Sequence, residues 1–468
     1  MDYSRFLEEI KIEAKRIVPL LNQDTVVRLI SHLDADGLCS AGIISRLLLE
    51  YNKKFHLTIV KQLEAEVVES LKKEKYDLFF FTDIGSGQLN GIKKLLENSK
   101  VIIIDHHPPE IELEHPNLIH INPHKYGIDG GSEICASTLS YLVVKSLGVN
   151  NCEHLAIVGS IGDRQEINGE LNGVNKYILD NIDQNIKVKK GLRVFGRISK
   201  PLHKAIAYST ETIPGISGNE SSAIQFLSEI GLGLKNGEIW RNVNDLTDEE
   251  EQILVTNIII KRLGKTENPE GVIGNVYTFK NKKGLLADAH EFATLLNSCG
   301  RQNMQSIGIM LCLGEETDAL EAAEEIMGSY KRKLLKAINW VRKNKNDINH
   351  VLKTEKAMYI LGESEIDDTI IGTICSILAE SDDTDKDILI GFANSTNGIK
   401  VSGRVASKIN FDIGENIERV VKLIGGEGGG HHKAGGAKIP FGKEKDFINE
   451  FERIIKDIKG QKIEGLVV

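Results

Sequence analysis

Along the first 190 residues, apolar positions fall into short continuous runs, separated by stretches where they recur every three or four residues. The runs are TVVRLIS (25–31), HLTIVKQL (56–63), DLFFFTDIG (77–85), KVIIIDHH (100–107) and NLIHINP (117–123). Most are apolar throughout and stop abruptly at polar residues, the pattern of strands covered on both faces in a parallel sheet. Helical periodicity occupies 37–51, a Glu-rich segment after 63, 132–148 and 151–161. Strands alternating with helices predict a doubly wound α/β domain over 1–190. The pattern loosens over 191–218, which holds several glycines, Pro201 and Pro214, and predicts a connecting segment. Residues 219–350 read as mostly helical, with Thr247 as an N-cap followed by acids. Within them, 271–302 predict a hairpin and then a helix. A smaller α/β domain is expected over 351–468, with strands AMYIL, DILIGFA and GIKVSGRV and a glycine-rich stretch at 425–439.

Composition narrows the class. With 41% hydrophobic and 27% charged residues in 468, the chain can bury substantial cores. No apolar run approaches the ~18 residues of a membrane span, and MDYSRFLEEIKIEAKR reads as an amphipathic helix, not a signal peptide. The six cysteines are scattered without a CxxC pair, which argues against a zinc ribbon or disulfide framework and for a reducing, cytoplasmic setting. The net charge of −9 argues against a globally basic nucleic-acid binder. It does not exclude a local basic groove, and cations would cancel acids gathered at a metal site.

The placement of acids and histidines is the most informative feature. Asp34 and Asp36 follow the first run, Asp83 ends the third, Asp105, His106 and His107 end the fourth, and Asp163 follows an apolar helix. In open parallel sheets the carboxyl ends of the strands line one crevice at the switch in strand order. Clustered there without cations, four carboxylates would repel one another. Two divalent ions would neutralise them, accept a phosphate and activate a water for in-line attack. Oxygen and imidazole donors suit Mn²⁺ or Mg²⁺.

The segments HLDADG (32–37), TDIG (82–85), DHHPP (105–109) and GSIGD (159–163) stand in the order of the four motifs of the DHH phosphoesterase superfamily, which the chain resembles. The resemblance implies a binuclear site with Asp34, Asp36, Asp83, His106 and Asp163 as ligands and Asp83 as the bridge. It also implies His107 at the scissile phosphate or leaving oxygen, and Asp105 as the residue that orients His106. His32 stands two residues before Asp34, where several family members place a histidine four before; it is carried as a ligand or phosphate contact.

The second half resembles archaeal RecJ-like single-strand exonucleases. LLNSCGR (295–301) is similar to their NAxGR motif, VSGRV (401–405) to the SxR element of the DHH-associated C-terminal domain, and GEGGGHHKAGG (426–436) to its GGGHxxAAG signature, with Gly435 replacing an alanine. The resemblance implies Arg301 near the reacting phosphate. It implies nucleic-acid contacts from Asn297, Ser402, Arg404, Gly428, Gly429, Gly430 and His431. The glycine stretch is no phosphate-binding P-loop, since no Lys-Ser/Thr follows it; read alone, it is equally a flexible turn. The implied activity is stepwise release of mononucleotides from single-stranded DNA, 5′→3′, with RNA as a second substrate, in replication or repair. The implied partner is the GINS complex. Two readings compete: a small-substrate phosphodiesterase for oligoribonucleotides or cyclic dinucleotides, and a replication scaffold, which the full set of motif acids disfavours.

Overall fold

The computed structural model describes residues 3–182, 185–209, 211–266, 268–379, 386–405 and 411–464. The chain forms two compact units, 1–327 and 328–468.

The first unit opens with helix α1 (Ser4–Leu21) and continues as strand β1 (Val27–His32), α2 (Ala35–Glu50), β2 (Phe55–Val60), α3 (Ala65–Leu71), β3 (Leu78–Thr82), β4 (Lys100–Ile104) and β5 (Leu118–Ile121). All five strands are parallel, in the order β2-β1-β3-β4-β5. Strand order therefore reverses between β1 and β3. The continuous apolar runs have the expected cause: Leu29, Phe80, Ile102 and Ile104 enter the core on one face, while Ile30, Phe79, Phe81, Val101 and Ile103 enter a second core on the other. Helices α4 (Ala136–Ser146), α5 (Glu153–Gly162) and α6 (Gly173–Asp180) follow.

Strand β6 (Ile186–Leu192) pairs antiparallel with β7 (Ile273–Phe279) over their whole length. The hairpin expected within 271–302 is thus not formed; β7 finds its partner some eighty residues upstream. The stretch 191–218 is likewise no loose connection. Leu192, Val194, Leu202, Ala205, Ile206, Ile213 and Ile216 share a buried core with Leu254 and Ile258 of α7 (Asp248–Arg262), and Pro201 caps a short helix at Leu202–Ala207. Thr247 does cap α7, its hydroxyl accepting from Glu250 N while Glu250 reaches back to Thr247 N.

Helix α8 (Ala289–Arg301) approaches the β1–α2 loop so closely that a Cβ on Gly300 would stand 1.7 Å from the Leu33 carbonyl oxygen. Helix α9 (Asp318–Asn344) begins in the first unit, and its last turns supply Tyr330, Ala337, Ile338 and Val341 to the core of the second. The second unit therefore starts near 328, earlier than the expected 351.

In that unit β8 (Val351–Lys353), β9 (Ala357–Leu361), α10 (Ile371–Ala379), β10 (Ile388–Ser395), β11 (Gly398–Val405), α11 (Ile413–Ile424), β12 (Glu427–His431), β13 (Ala434–Ile439) and α12 (Glu444–Glu464) form a six-stranded mixed sheet, ordered β8-β9-β10-β11-β13-β12. The glycine-rich segment is not a turn but the edge strand β12, paired with β13. Alternate residues of β9 face different cores, Tyr359 one and Met358 with Ile360 the other.

Gly300→Ala forces α8 away from backbone that has no rotamer with which to yield. Urea unfolding should show a loss of about 1–3 kcal/mol; an unchanged midpoint would contradict this packing.

Candidate metal centre

The acids gather beside the reversal in strand order. Asp34 caps α2 in extended backbone, its Oδ1 accepting from Gly37 N at 3.0 Å. Two residues on, Asp36 is fully buried and accepts from Ala136 N (2.8 Å) and Ser137 N (2.9 Å) in the first turn of α4. Asp83 ends β3 with φ +57°, a left-handed conformation that is costly for a side chain with a Cβ. That bend turns its carboxylate into the crevice. Both Asp83 oxygens, His106 Nε2 and His32 Nδ1 are buried and lack a hydrogen-bond partner among the described residues.

The carboxylate of Asp83 stands between two groups. Its Oδ1 lies 3.2 Å from His106 Nε2, and its Oδ2 lies 3.4 Å from His32 Nδ1. His106 Nε2 in turn lies 3.8 Å from Asp163 and 3.9 Å from Asp36, while His32 Nδ1 lies 3.1 Å from Asp34. Among the described residues two clusters of metal-competent donors result, Asp36–His106–Asp163 and His32–Asp34–Asp83; a third joins Asp83 to Asp105, His106 and His107. Buried acceptors crowded beside imidazole nitrogens fit divalent cations, which would take the place of the protons that otherwise offset the charge.

The expected role of Asp105 needs correction. Its Oδ1 faces His107 Nδ1 at 2.8 Å and its Oδ2 accepts from Ser86 N at 2.8 Å, so it orients His107 and not His106. His106 is held instead by the Gly130 carbonyl, 2.6 Å from Nδ1. That bond makes Nδ1 the protonated nitrogen and leaves the Nε2 lone pair for a cation.

The electrostatics follow from crowding. Burial and then the Asp83 charge push the Asp36 carboxyl up to about 6. Burial, with the charges of Asp36, Asp34 and Asp83 and against the pull of His106, pushes Asp163 up to about 7. Burial would lower His106, yet Asp163, Asp83 and Asp36 outweigh it and raise the ring well above its usual range; Asp34 and Asp83 do the same for His32. Although burial opposes it, His32 holds Asp34 well below the carboxylate range, and His107 does so for Asp105.

Asn297 works inward: its Oδ1 accepts from Ala35 N at 3.0 Å, one helical turn from Gly300, so both seat α8 on the loop carrying Asp34 and Asp36. The bond engages the amide oxygen, and the side chain is half-buried. Arg301 follows at the end of α8, half-buried.

The other candidates lie in the second unit. Ser402 is buried on β11, and Arg404 donates from Nε to Ser376 Oγ at 2.8 Å. A Cβ on Gly372, in the first turn of α10, would stand 3.2 Å from Ser402 Oγ and 3.3 Å from Arg404 Nη2. Gly428, Gly429 and Gly430 line edge strand β12 with His431, whose side chain lies outside the described residues.

Sequence reasoning missed Gln165, Ser86 and Ser376. Only Gln165 carried a signal, standing two residues after Asp163; the others became visible through the fold.

Three family matches tile the chain in order: the DHH family N-terminal domain at 26–159, the DHH-CID domain at 194–274 and the DHHA1 domain at 354–457. The uncharacterized protein MJ0831 of Methanocaldococcus jannaschii is 34% identical over 98% of this chain and 99% of its own length. The chain belongs to the DHH superfamily. Among solved structures this DHH protein is similar to RecJ of Thermus thermophilus in complex with Mn²⁺ (TM-score 0.59, 17% identity, 95% of this chain), spanning 54% of that longer chain. It is also similar to CDC45 of Entamoeba histolytica (TM-score 0.62, 12% identity, 96% of this chain and 98% of that one). The fold is RecJ-like. Among the described residues, no helix is long and apolar enough to cross a membrane.

The raised groups fix a sign. Between pH ~4 and ~7 the folded, metal-free protein keeps protons on Asp36 and Asp163 that the unfolded chain has released. Their contribution to stability therefore falls as pH rises through that window, and the raised histidines act in the same sense. The lowered Asp34 and Asp105 contribute stability above ~4 and lose it only in acid. In EDTA, Tm should fall from pH 5.5 to 8, and Asp163→Asn should flatten the fall. A wild-type Tm that rises over this range would contradict the crowding of unneutralised acids.

Proposed function

We propose that this chain is a two-cation phosphodiesterase and a single-strand exonuclease, releasing mononucleotides from DNA 5′→3′ and acting on RNA as a second substrate. The carrying observation is Asp83, whose two buried, partnerless oxygens face different donor groups. Asp36, His106 and Asp163 would hold one ion and His32 and Asp34 the other, with Asp83 offering an oxygen to each group. Two divalent ions in such a site supply charge to bind the phosphodiester and a water activated for in-line attack. Mn²⁺ is the favoured ion and Mg²⁺ the alternative, in keeping with the donor set and with the Thermus RecJ, solved with each.

The chain's own groups do the rest. His107 delivers the proton to the leaving oxygen. Asp105 holds its Nδ1, leaving Nε2 for the substrate, and the side chain is 43% exposed where its neighbours are buried. Burial works against the proton, yet the Asp105 charge raises the ring above its usual range, so an acid is at hand near neutral pH. Asp105 is thus a positioning residue. Arg301 contacts the reacting phosphate. Ser402, Arg404, the Gly428–Gly430 backbone and His431 bind the strand, giving little sequence preference because they meet phosphates and not base edges. The setting is cytoplasmic replication or repair.

One observation favours a second role beside catalysis. The near full-length likeness to CDC45 supports a place in a replication complex, with GINS as the partner. Capture of purified GINS by this chain tests it; absence of binding would remove the role and leave the chemistry untouched.

The activity is tested with Mn²⁺ and single strands of DNA and RNA, each labelled at one end. Mononucleotides released first from the DNA 5′ end are expected. Digestion only from the RNA 3′ end would overturn the substrate and polarity. Cleavage of dinucleotides alone would transfer the reading to a small-substrate phosphodiesterase. His107→Ala should lower kcat about 10²–10⁴-fold with Mn²⁺ binding retained. Loss of Mn²⁺ binding in that variant would make His107 a ligand.

A further inference from the structure

The two donor groups differ in how they are held. In the Asp36–His106–Asp163 group, each side chain is gripped from behind. Asp36 takes two backbone N–H bonds from α4, and His106 Nδ1 is fixed by the Gly130 carbonyl. Asp163 is gripped by Gln165, whose Nε2 donates to Asp163 Oδ2 at 2.8 Å. The same nitrogen reaches Gly130 O at 2.7 Å and Ile134 O at 3.1 Å. Gln165 thus touches one ligand directly and shares with His106 the carbonyl that sets that ring's tautomer.

A glutamine can do this only with its amide turned one way, and Asn175 fixes the turn. Asn175, fully buried on α6, donates from Nδ2 to Gln165 Oε1 at 2.6 Å. Its own Oδ1 accepts from Thr138 Oγ1 at 2.7 Å. The order runs from Thr138 through Asn175 to Gln165, and then to both Asp163 and the support of His106.

The other group has little of this. Asp34 takes one backbone bond, from Gly37 N, and His32 Nδ1 meets only Asp34 and Asp83. Exposure does not separate the groups, since the side chains of Asp34 and Asp163 are both 26% exposed; the difference lies in the hydrogen bonds behind the donors. Donors already fixed in place lose less freedom when an ion binds.

We propose that Gln165, locked by Asn175, is a positioning residue that prebuilds one cation position, so the Asp36–His106–Asp163 position fills first and more tightly than the His32–Asp34 position. The proposal rests on the two-cation reading and adds an order of loading and the residues that impose it.

Calorimetric titration of the metal-free full chain with Mn²⁺ tests it. The wild type is expected to take two ions with unequal affinity. Gln165→Met should weaken the tighter ion about 10–100-fold, the usual loss when a partner behind a metal ligand is removed, and spare the weaker one. Asn175→Leu should produce the same selective loss to a smaller degree. His32→Ala should remove the weaker ion and leave the tighter. Wild-type tight binding in Gln165→Met, or loss of the tight ion in His32→Ala, would overturn the proposal. Unfolding scans in EDTA establish that each variant folds. If the methionine does not, Gln165→Glu keeps the oxygen facing Asn175 and removes the donor; undiminished tight binding there would be equally fatal. A wild type that binds no Mn²⁺ would instead sink the two-cation reading itself.

Discussion

Mutual repulsion among Asp34, Asp36, Asp83 and Asp163 is the constraint to which the surrounding structure answers. Each lies at the end or in the first turn of an element that brings it to the same crevice, and the burial of Asp36 and Asp83 withdraws water that would screen the group. Protons are one relief, visible in the raised Asp36 and Asp163 carboxyls and histidines. Cations are the other, and the partnerless oxygens of Asp83 are shaped for them. The left-handed backbone at Asp83 shows the same logic. Local strain is tolerated where the fold fixes a carboxylate between two donor groups.

Support for these acids comes from far along the chain. The first turn of α4 clamps Asp36, Gln165 clamps Asp163, and α8 presses on the loop that carries Asp34 and Asp36 through Asn297 and Gly300. The residues 295–301 therefore have a structural task besides any contact made by Arg301. A motif that resembles a substrate-binding element is here partly a clamp on the metal site. The second unit, with Ser402, Arg404 and the glycine edge strand, is a separate compact body with cores of its own.

Much of this was legible in the sequence, for physical reasons. Runs such as LFFFT and KVIII lack a polar face, so they had to be strands buried on both sides, and the acids at their ends had to meet once the sheet was parallel. What stayed hidden depends on distant pairing or on the direction of a side chain. Strand β7 joins β6 across eighty residues that no local pattern links. The segment 191–218 looked loose because its helices are short, although its apolar residues are buried. Asp105 was expected to serve His106, its neighbour in sequence, yet the turn after β4 points it at His107. Gln165 and Asn175 are ordinary polar residues until the fold buries them together.

The central claim, that two cations share the Asp83 carboxylate at the reversal of strand order, is tested most directly by anomalous diffraction from crystals grown with Mn²⁺. Two peaks about 3.5–4 Å apart are expected, one beside each Asp83 oxygen, with His106 at one and His32 at the other. A single peak, or a pair that leaves Asp83 without a ligand role, would contradict it.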